Sequence, residues 1–121
     1  MPELSPLDLV EASLVRVWNE RDESRRMAAL QEIYQPGAVL HDPDNVVTGL
    51  EAISRTVAGL LAKMPPGFRF EVVGRPSGHH GLAVARWQGG PPGQVVVTGS
   101  DIARVSGGLI AELHVIIDAP A

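Results

Sequence analysis

The hydrophobic pattern of the chain changes its period at Gly67, and this change limits the folds that the sequence can adopt. Before Gly67, apolar residues recur at helical spacing in three stretches. After it, apolar and polar side chains alternate, beginning with Phe68, Phe70 and Val72. Spacing of three or four residues places side chains on one helix face, whereas alternation is typical of a strand with one buried face. Helices that precede a run of strands predict an α+β fold and argue against a doubly wound parallel sheet.

Three helices are predicted in the first half of the chain. Ser5 can cap the first helix and Pro6 suits its first position, from which an apolar stripe runs to about residue 18. A second helix is predicted from about Asp22 to Tyr34, because Pro-Gly follows at once. Thr48 and Glu51 have the spacing of a capping box, so they are expected to open the third helix.

The strands are predicted as a short pair followed by a meander of four. A short strand ends at Asp42 before Pro43, and Val46-Val47 is a possible return strand. The four later strands are expected at Phe68–Val73, Leu82–Gln88, Val95–Val105 and Leu109–Asp118. Gly99 interrupts the longest of them, and a glycine inside a strand often marks a bulge or bend. A bent strand would curl the sheet around the helices and leave an interior pocket.

Composition excludes several classes of function. A length of 121 residues predicts one domain over 1–121. The formal net charge of −4 argues against nucleic acid or an anionic membrane as a partner. The absence of cysteine excludes disulfides and thiolate metal sites. No apolar run is long enough to cross a bilayer and the N-terminus is unlike a signal peptide, so a cytoplasmic location is expected by default.

Three local patterns carry a family resemblance that covers nearly the whole chain. They are Trp18–Asp22; Tyr34 with Ala38–Pro43 and Gly49–Ile53; and Gly99–Ala103 with Gly108–Ile110 and Asp118. In this order the chain resembles the nuclear transport factor 2-like superfamily, and most of all its SnoaL-like polyketide cyclases and ketosteroid isomerases. The resemblance implies an α+β cone in which three helices pack on a curved, mostly antiparallel sheet.

The same resemblance implies a cofactor-independent isomerase or aldol-type cyclase that moves protons on an apolar carbonyl compound. Asp42 matches the position of the family's proton-shuttling base. Asp101 matches a carboxyl that stays protonated and donates a hydrogen bond to the developing oxyanion. Trp18 stands where ketosteroid isomerases carry a tyrosine, and its N–H can donate but has no acidic proton. The competing hypothesis is a non-catalytic module that binds a small molecule or only dimerises.

Structural explanations of both carboxyls stay open. Asp42 is also a good turn residue, whose carboxylate can accept backbone N–H bonds. Strand parity places Asp101 on an apolar face with Val97 and Ala103, where it faces either a pocket or a buried partner. Arg86 has two interpretations, a surface position or a carboxylate partner inside. The candidate pocket walls are Trp18, Tyr34, Leu40, Met64, Phe70 and Trp87.

The remaining histidines give no metal or cofactor site. His79 and His80 are neighbours in a predicted strand, so their side chains should point apart, and no third ligand has suitable spacing. His114 is expected on the outer face of the last strand. The predicted outer positions are Ile110, Glu112, His114 and Ile116, and this partly apolar face predicts a twofold homodimer.

Overall fold

A computed structural model describes residues 4–119 of the chain. Three helices and six strands follow one another along it. They are α1 (Pro6–Arg16), α2 (Glu23–Ile33), β1 (Tyr34–His41), β2 (Val46–Thr48), α3 (Leu50–Ala62), β3 (Arg69–His79), β4 (Leu82–Gly90), β5 (Val97–Ser106) and β6 (Leu109–Ile117). Within the described residues, no helix has the length and hydrophobicity that a membrane crossing requires.

The helix starts agree with the sequence in two cases of three. Ser5 and Asp8 form a reciprocal capping box at α1, and the Asp22 carboxylate accepts the Arg25 N–H at α2. The capping box expected at Thr48 is wrong, because α3 begins after Gly49 and has no side-chain cap. Gly49 has a φ of 94°, which explains why a glycine stands there.

The six strands form one curved, open sheet in the order β2-β1-β6-β5-β4-β3. The last four strands are antiparallel neighbours, as the meander predicted. β1 lies parallel to β6 because α3 and the meander carry the chain across the sheet between them. β1 also begins earlier than expected, at Tyr34, and passes Pro36-Gly37 with a shift of register between Tyr34 and Val39.

The irregularity of β5 lies away from Gly99. The pairing of β5 with β4 and with β6 runs without a shift through Gly99, so the predicted bulge there is wrong. The shift falls instead between Arg104 and Val105, opposite the extra residue Ala111. This extra residue reverses the parity of β6, so Ile110 is fully buried and does not lie on the outer face as predicted.

The core lies between the three helices and the inner face of the sheet. α1 crosses β3, β4, β5 and β6, while α2 and α3 pack on each other near β1. Leu9, Val10 and Leu14 supply the buried stripe of α1, and Ile53 and Val57 supply that of α3. Between α1, the end of α3 and the sheet this packing is incomplete, and an open cavity is left there.

Candidate active site

A cavity of about 190 Å³ lies among α1, the end of α3 and the inner face of the sheet. Twelve residues line it: Leu14, Trp18, Leu60, Met64, Phe68, Phe70, Trp87, Val96, Val97, Asp101, Val115 and Ile117. Asp101 is the one ionisable side chain among these lining residues of the described chain. Val96 and Ile117 are about half exposed, so they mark the entrance.

Asp101 is a carboxyl held in an apolar environment. Its residue is 2% exposed, and its Oδ1 accepts a hydrogen bond of 2.9 Å from the Trp87 indole N–H. Its Oδ2 is buried and has no partner. Burial raises the pKa of Asp101 to about 7, and the bond from Trp87 only partly offsets this effect. Near neutral pH, the group can therefore both accept and donate a proton.

Trp87 reaches Asp101 because β5 carries a glycine directly beside the indole. Trp87 pairs with Gly99 across β4 and β5. A Cβ at Gly99 would lie 2.4 Å from the Trp87 ring and 2.3 Å from the Ile116 carbonyl oxygen, so no larger residue fits. The Phe70 ring meets the indole edge to face at 5.3 Å. Together these contacts fix the direction of the N–H that holds the carboxyl.

Trp18, which also lines the cavity, carries a second buried polar group. Its indole N–H is buried and makes no well-formed hydrogen bond, although it lies near enough to the Tyr34 hydroxyl to act on the pKa of that group. The Tyr34 hydroxyl shares a hydrogen bond of 2.5 Å with Ser13. Burial raises the pKa of Tyr34, the charge of Asp101 raises it further, and Ser13 and Trp18 oppose this. The structure thus gives the Trp18 N–H no well-formed acceptor of its own.

Asp42 lies in a turn and does not line the cavity. Its Oδ1 accepts the backbone N–H groups of Asp44 at 2.9 Å and of Asn45 at 2.7 Å, and the Asn45 amide also donates to the carboxylate. These contacts agree with the interpretation of Asp42 as a turn residue. Asp42 borders a separate, more polar depression that also includes Arg55 and Lys63. The structure does not place Asp42 and Asp101 in one cavity.

The two depressions nevertheless share a wall. Trp18, Leu60, Val115 and Ile117 line both of them. These residues come from α3, from β6 and from the segment that follows α1.

Four of the six predicted pocket walls line the cavity, namely Trp18, Met64, Phe70 and Trp87. Tyr34 and Leu40 do not line it, because both are fully packed in the core. The sequence analysis did not name the apolar walls Leu14, Leu60, Phe68, Val96, Val97, Val115 and Ile117. Strand parity placed Val97 on the same face as Asp101, but Val97 was not named as a pocket wall.

The other polar candidates lie outside the cavity. Arg86 is exposed and forms a two-point ion pair with Asp118, so it is not a partner of Asp101. The rings of His79 and His80 do not point apart as expected, because His80 takes a φ of 53° in the hairpin and the two Nδ1 atoms lie 2.7 Å from each other.

An open, curved sheet with three helices on its inner face and an apolar cavity between them defines a class of protein. It is the cone-shaped α+β fold called nuclear transport factor 2-like or cystatin-like. Residues 12–113 match the family model of the SnoaL-like domain, and the chain belongs to that family.

Solved structures agree with this assignment. A candidate isomerase of the SnoaL-like family from Agrobacterium tumefaciens is 26% identical, with a TM-score of 0.84, over 92% of this chain and 95% of that one. A candidate SnoaL-like polyketide cyclase from Jannaschia sp. is 19% identical, with a TM-score of 0.71, over 98% and 92%. A candidate ketosteroid isomerase from Kribbella flavida is 14% identical, with a TM-score of 0.71, over 96% and 79%. Among curated proteins, none matches this chain.

Proposed function

We propose that the protein is a cofactor-independent isomerase or aldol-type cyclase that acts on a small apolar carbonyl compound. One observation carries the proposal: Asp101 lines an otherwise apolar cavity, and one oxygen of its buried carboxyl has no hydrogen-bond partner. A buried polar atom without a partner is costly, so its retention calls for an explanation. A raised pKa in a cleft is a frequent property of acid–base groups.

In the proposed chemistry, Asp101 transfers the proton and Trp18 stabilises the oxyanion. Asp101 Oδ2 takes a proton from the carbon beside the substrate carbonyl, and the electron pair moves onto the carbonyl oxygen. The Trp18 N–H donates a hydrogen bond to this enolate oxygen. In an isomerase, Asp101 returns the proton to another carbon. In a cyclase, the enolate carbon attacks a second carbonyl, whose oxygen receives the proton.

This assignment departs from the roles that the family resemblance implies. There, Asp42 is the base and Asp101 the hydrogen-bond donor. The Asp42 carboxylate accepts hydrogen bonds from donors of its own turn, and Asp42 borders a different depression. A base must reach the proton that it removes. We therefore assign the base to Asp101 and treat Asp42 as the comparison residue.

The cavity also limits the class of substrate. Its volume of about 190 Å³ is below the roughly 300–1,000 Å³ of sites that hold drug-sized ligands. Its walls are aliphatic and aromatic, and no cationic side chain of the described residues lines it. A ketone with one or two rings fits this size and polarity, whereas nucleotides and sugar phosphates lack the charged partners that they need.

The substrate class is tested by thermal shift with cyclic and aromatic ketones against nucleotides. We expect ketones to raise the melting temperature of the wild-type protein and nucleotides to leave it unchanged. Replacing Met64 by Trp should reduce the ketone shift, because the larger side chain fills the cavity. Stabilisation by nucleotides and by none of the ketones would contradict the proposal.

The roles are tested by hydrogen–deuterium exchange at the ketone's α-carbon, followed by NMR. Asp101→Asn should slow exchange about 100–10,000-fold, the usual contribution of general acid–base catalysis. Trp18→Phe keeps the ring but removes the donor, so it should lower kcat more than it changes KM. Asp42→Ala should stay within a few-fold of wild type. Loss of exchange in Asp42→Ala with tolerance of Asp101→Asn would reverse the two roles.

The same measurement separates catalysis from binding alone. A protein that binds ketones but exchanges no proton in any tested compound would be a small-molecule-binding module. The contacts of Asp101 favour catalysis, because a binding module has no need to keep a carboxyl without an arginine partner in an apolar cavity.

A further inference from the structure

The outer face of the sheet, turned away from the helices, carries a cluster of two histidines and a glutamate. His41 ends β1, and Glu112 and His114 lie two residues apart on β6, on the same face. His41 and His114 are direct partners in the parallel pairing of β1 and β6. The rings of the two histidines stack with their centroids 4.2 Å apart and 5° from parallel.

Both histidines turn the same ring atom towards one carboxylate oxygen. The His41 Nε2 lies 3.0 Å from Glu112 Oε2, and the His114 Nε2 lies 3.9 Å from it. The three atoms are all within 4.8 Å of one another. Ligand atoms on a tetrahedral zinc ion with bonds of about 2.1 Å lie about 3.4 Å apart. Small side-chain rotations therefore suffice to bring these three atoms onto one ion.

A neighbouring arginine fixes the carboxylate without blocking it. The Arg104 Nε donates to Glu112 Oε1 at 2.9 Å, which leaves Oε2 to face the histidines. Such an outer contact orients a ligand for a metal. Two imidazoles and one carboxylate oxygen suit Zn²⁺ and related divalent transition cations better than Mg²⁺ or Ca²⁺, which prefer oxygen ligands.

We propose that His41, Glu112 and His114 form a binding site for a divalent transition cation of the Zn²⁺ class. The sequence analysis expected no metal, because it considered only His79 and His80 as ligands and found no third ligand with suitable spacing. The site would join the ends of β1 and β6 on the outer face and leave one coordination position for water or a partner. It is separate from the apolar cavity, which lies on the inner face, and does not depend on the proposed function.

The test is isothermal titration of Zn²⁺ into metal-free protein that carries no affinity tag. We expect one Zn²⁺ per chain and a rise in melting temperature, because a cation that binds the folded state stabilises it. His114→Ala and Glu112→Gln should each weaken binding by at least about 10-fold, since even outer contacts of a metal contribute about 10–100-fold. Circular dichroism shows whether each variant is folded.

The second histidine pair of the chain provides a matched control. His79 and His80 also lie ring to ring, but among the described residues no third ligand joins them. The double variant His79→Ala, His80→Ala should bind Zn²⁺ like the wild type. Absence of Zn²⁺ binding by the wild type, or binding that is lost in the control and kept in His114→Ala, would overturn the proposal.

Discussion

Asp101 owes its chemical character to the residues next to it on two strands. Trp87 supplies its hydrogen bond, and Gly99 makes the space in which the Trp87 ring lies. The strand itself places Asp101 on the inner face with Ala103, where both residues are buried. Burial thus raises the pKa of this carboxyl, and no paired charge lowers it again. Two measurements can test this.

The first prediction concerns the pH dependence of stability. The folded-state pKa of Asp101 is about 7 against an ordinary value of 3.8, so the folded state holds a proton that the unfolded state releases. The stabilisation of the folded state by this proton is complete below pH 3.8 and is lost as pH rises to about 7. Relative to Asp101→Asn, the wild type should lose up to roughly 4 kcal/mol of unfolding free energy over this range.

Urea unfolding at several pH values measures this difference. Asp118→Asn is the control, because the Arg86 hydrogen bond, followed by that of Thr98, lowers the pKa of Asp118 to about 2. The stabilising effect of Asp118 is complete above its ordinary pKa and is lost only as pH falls towards 2. The difference in unfolding free energy between Asp118→Asn and the wild type should therefore be constant between about pH 5 and pH 8. Parallel profiles for the wild type and Asp101→Asn would contradict the burial argument.

The second prediction concerns Gly99. In Gly99→Ala the new Cβ meets the Trp87 ring and the Ile116 carbonyl, so the ring must move and its bond to Asp101 weakens. We expect a loss of about 1–3 kcal/mol of stability, as for other overpacked sites. Gly59→Ala is the control, because its Cβ meets nothing within 4 Å on helix α3 and alanine favours helix. Equal melting temperatures for Gly99→Ala and wild type would show that the ring is not held there.

At the scale of elements, the segment after α1 connects all the layers of the cone. Asn19 donates to the Phe70 carbonyl at 2.9 Å and accepts the Phe70 N–H at 2.7 Å. Arg21 donates to the Leu61 carbonyl at the end of α3, and Asp22 caps α2. The pattern Trp18–Asp22, which carried part of the family resemblance, is therefore largely structural apart from Trp18.

The third prediction follows from the position of β3 at the edge of the sheet. An edge strand has free backbone groups, and Asn19 satisfies two of them at Phe70, beside the cavity. Asn19→Leu should cost about 1–3 kcal/mol, because it leaves both groups without a partner. It should also speed up amide hydrogen exchange in β3 more than in β5.

Gln35→Leu is the control for this change, since Gln35 makes one exposed bond to the Ser106 carbonyl. Its effect on stability should stay within about 0.5 kcal/mol. If Asn19→Leu lowers stability no more than Gln35→Leu, the two hydrogen bonds between Asn19 and Phe70 do not stabilise β3.

At the scale of the whole molecule, the outer face combines apolar and charged residues. The register places Val46 in one row with His41 and His114, and Val73 in one row with Arg86 and Ile116. Val46, Val73, Leu82 and Ile116 are each exposed by between 46% and 69%. Exposed apolar side chains on one face favour a second protein surface.

The fourth prediction is therefore a twofold homodimer through this outer face. Light scattering at micromolar concentration should give twice the chain mass of 12.9 kDa. Ile116→Glu should shift the protein towards monomer, because it places a charge on the apolar face. Val95→Glu is the control, since Val95 is equally exposed but lies in the loop before β5. A wild-type mass of 12.9 kDa would contradict the prediction.

The order of helices and strands was determined by the sequence alone, because each depends on local period and local caps. Ser5, Asp22 and the alternation after Gly67 act within a few residues, so they could be interpreted without the fold. The inward position of Asp101 followed from the same alternation. The shape of the sheet could be expected only through the family resemblance.

Only the tertiary structure decided which residues share a site. Asp42 and Asp101 carry the same side chain, yet one binds its own turn and the other is buried, because their neighbours differ. The extra residue in β6 turned Ile110 inward, and the parallel pairing of β1 with β6 brought His41 to His114. Such contacts depend on register between distant strands, which no local pattern specifies.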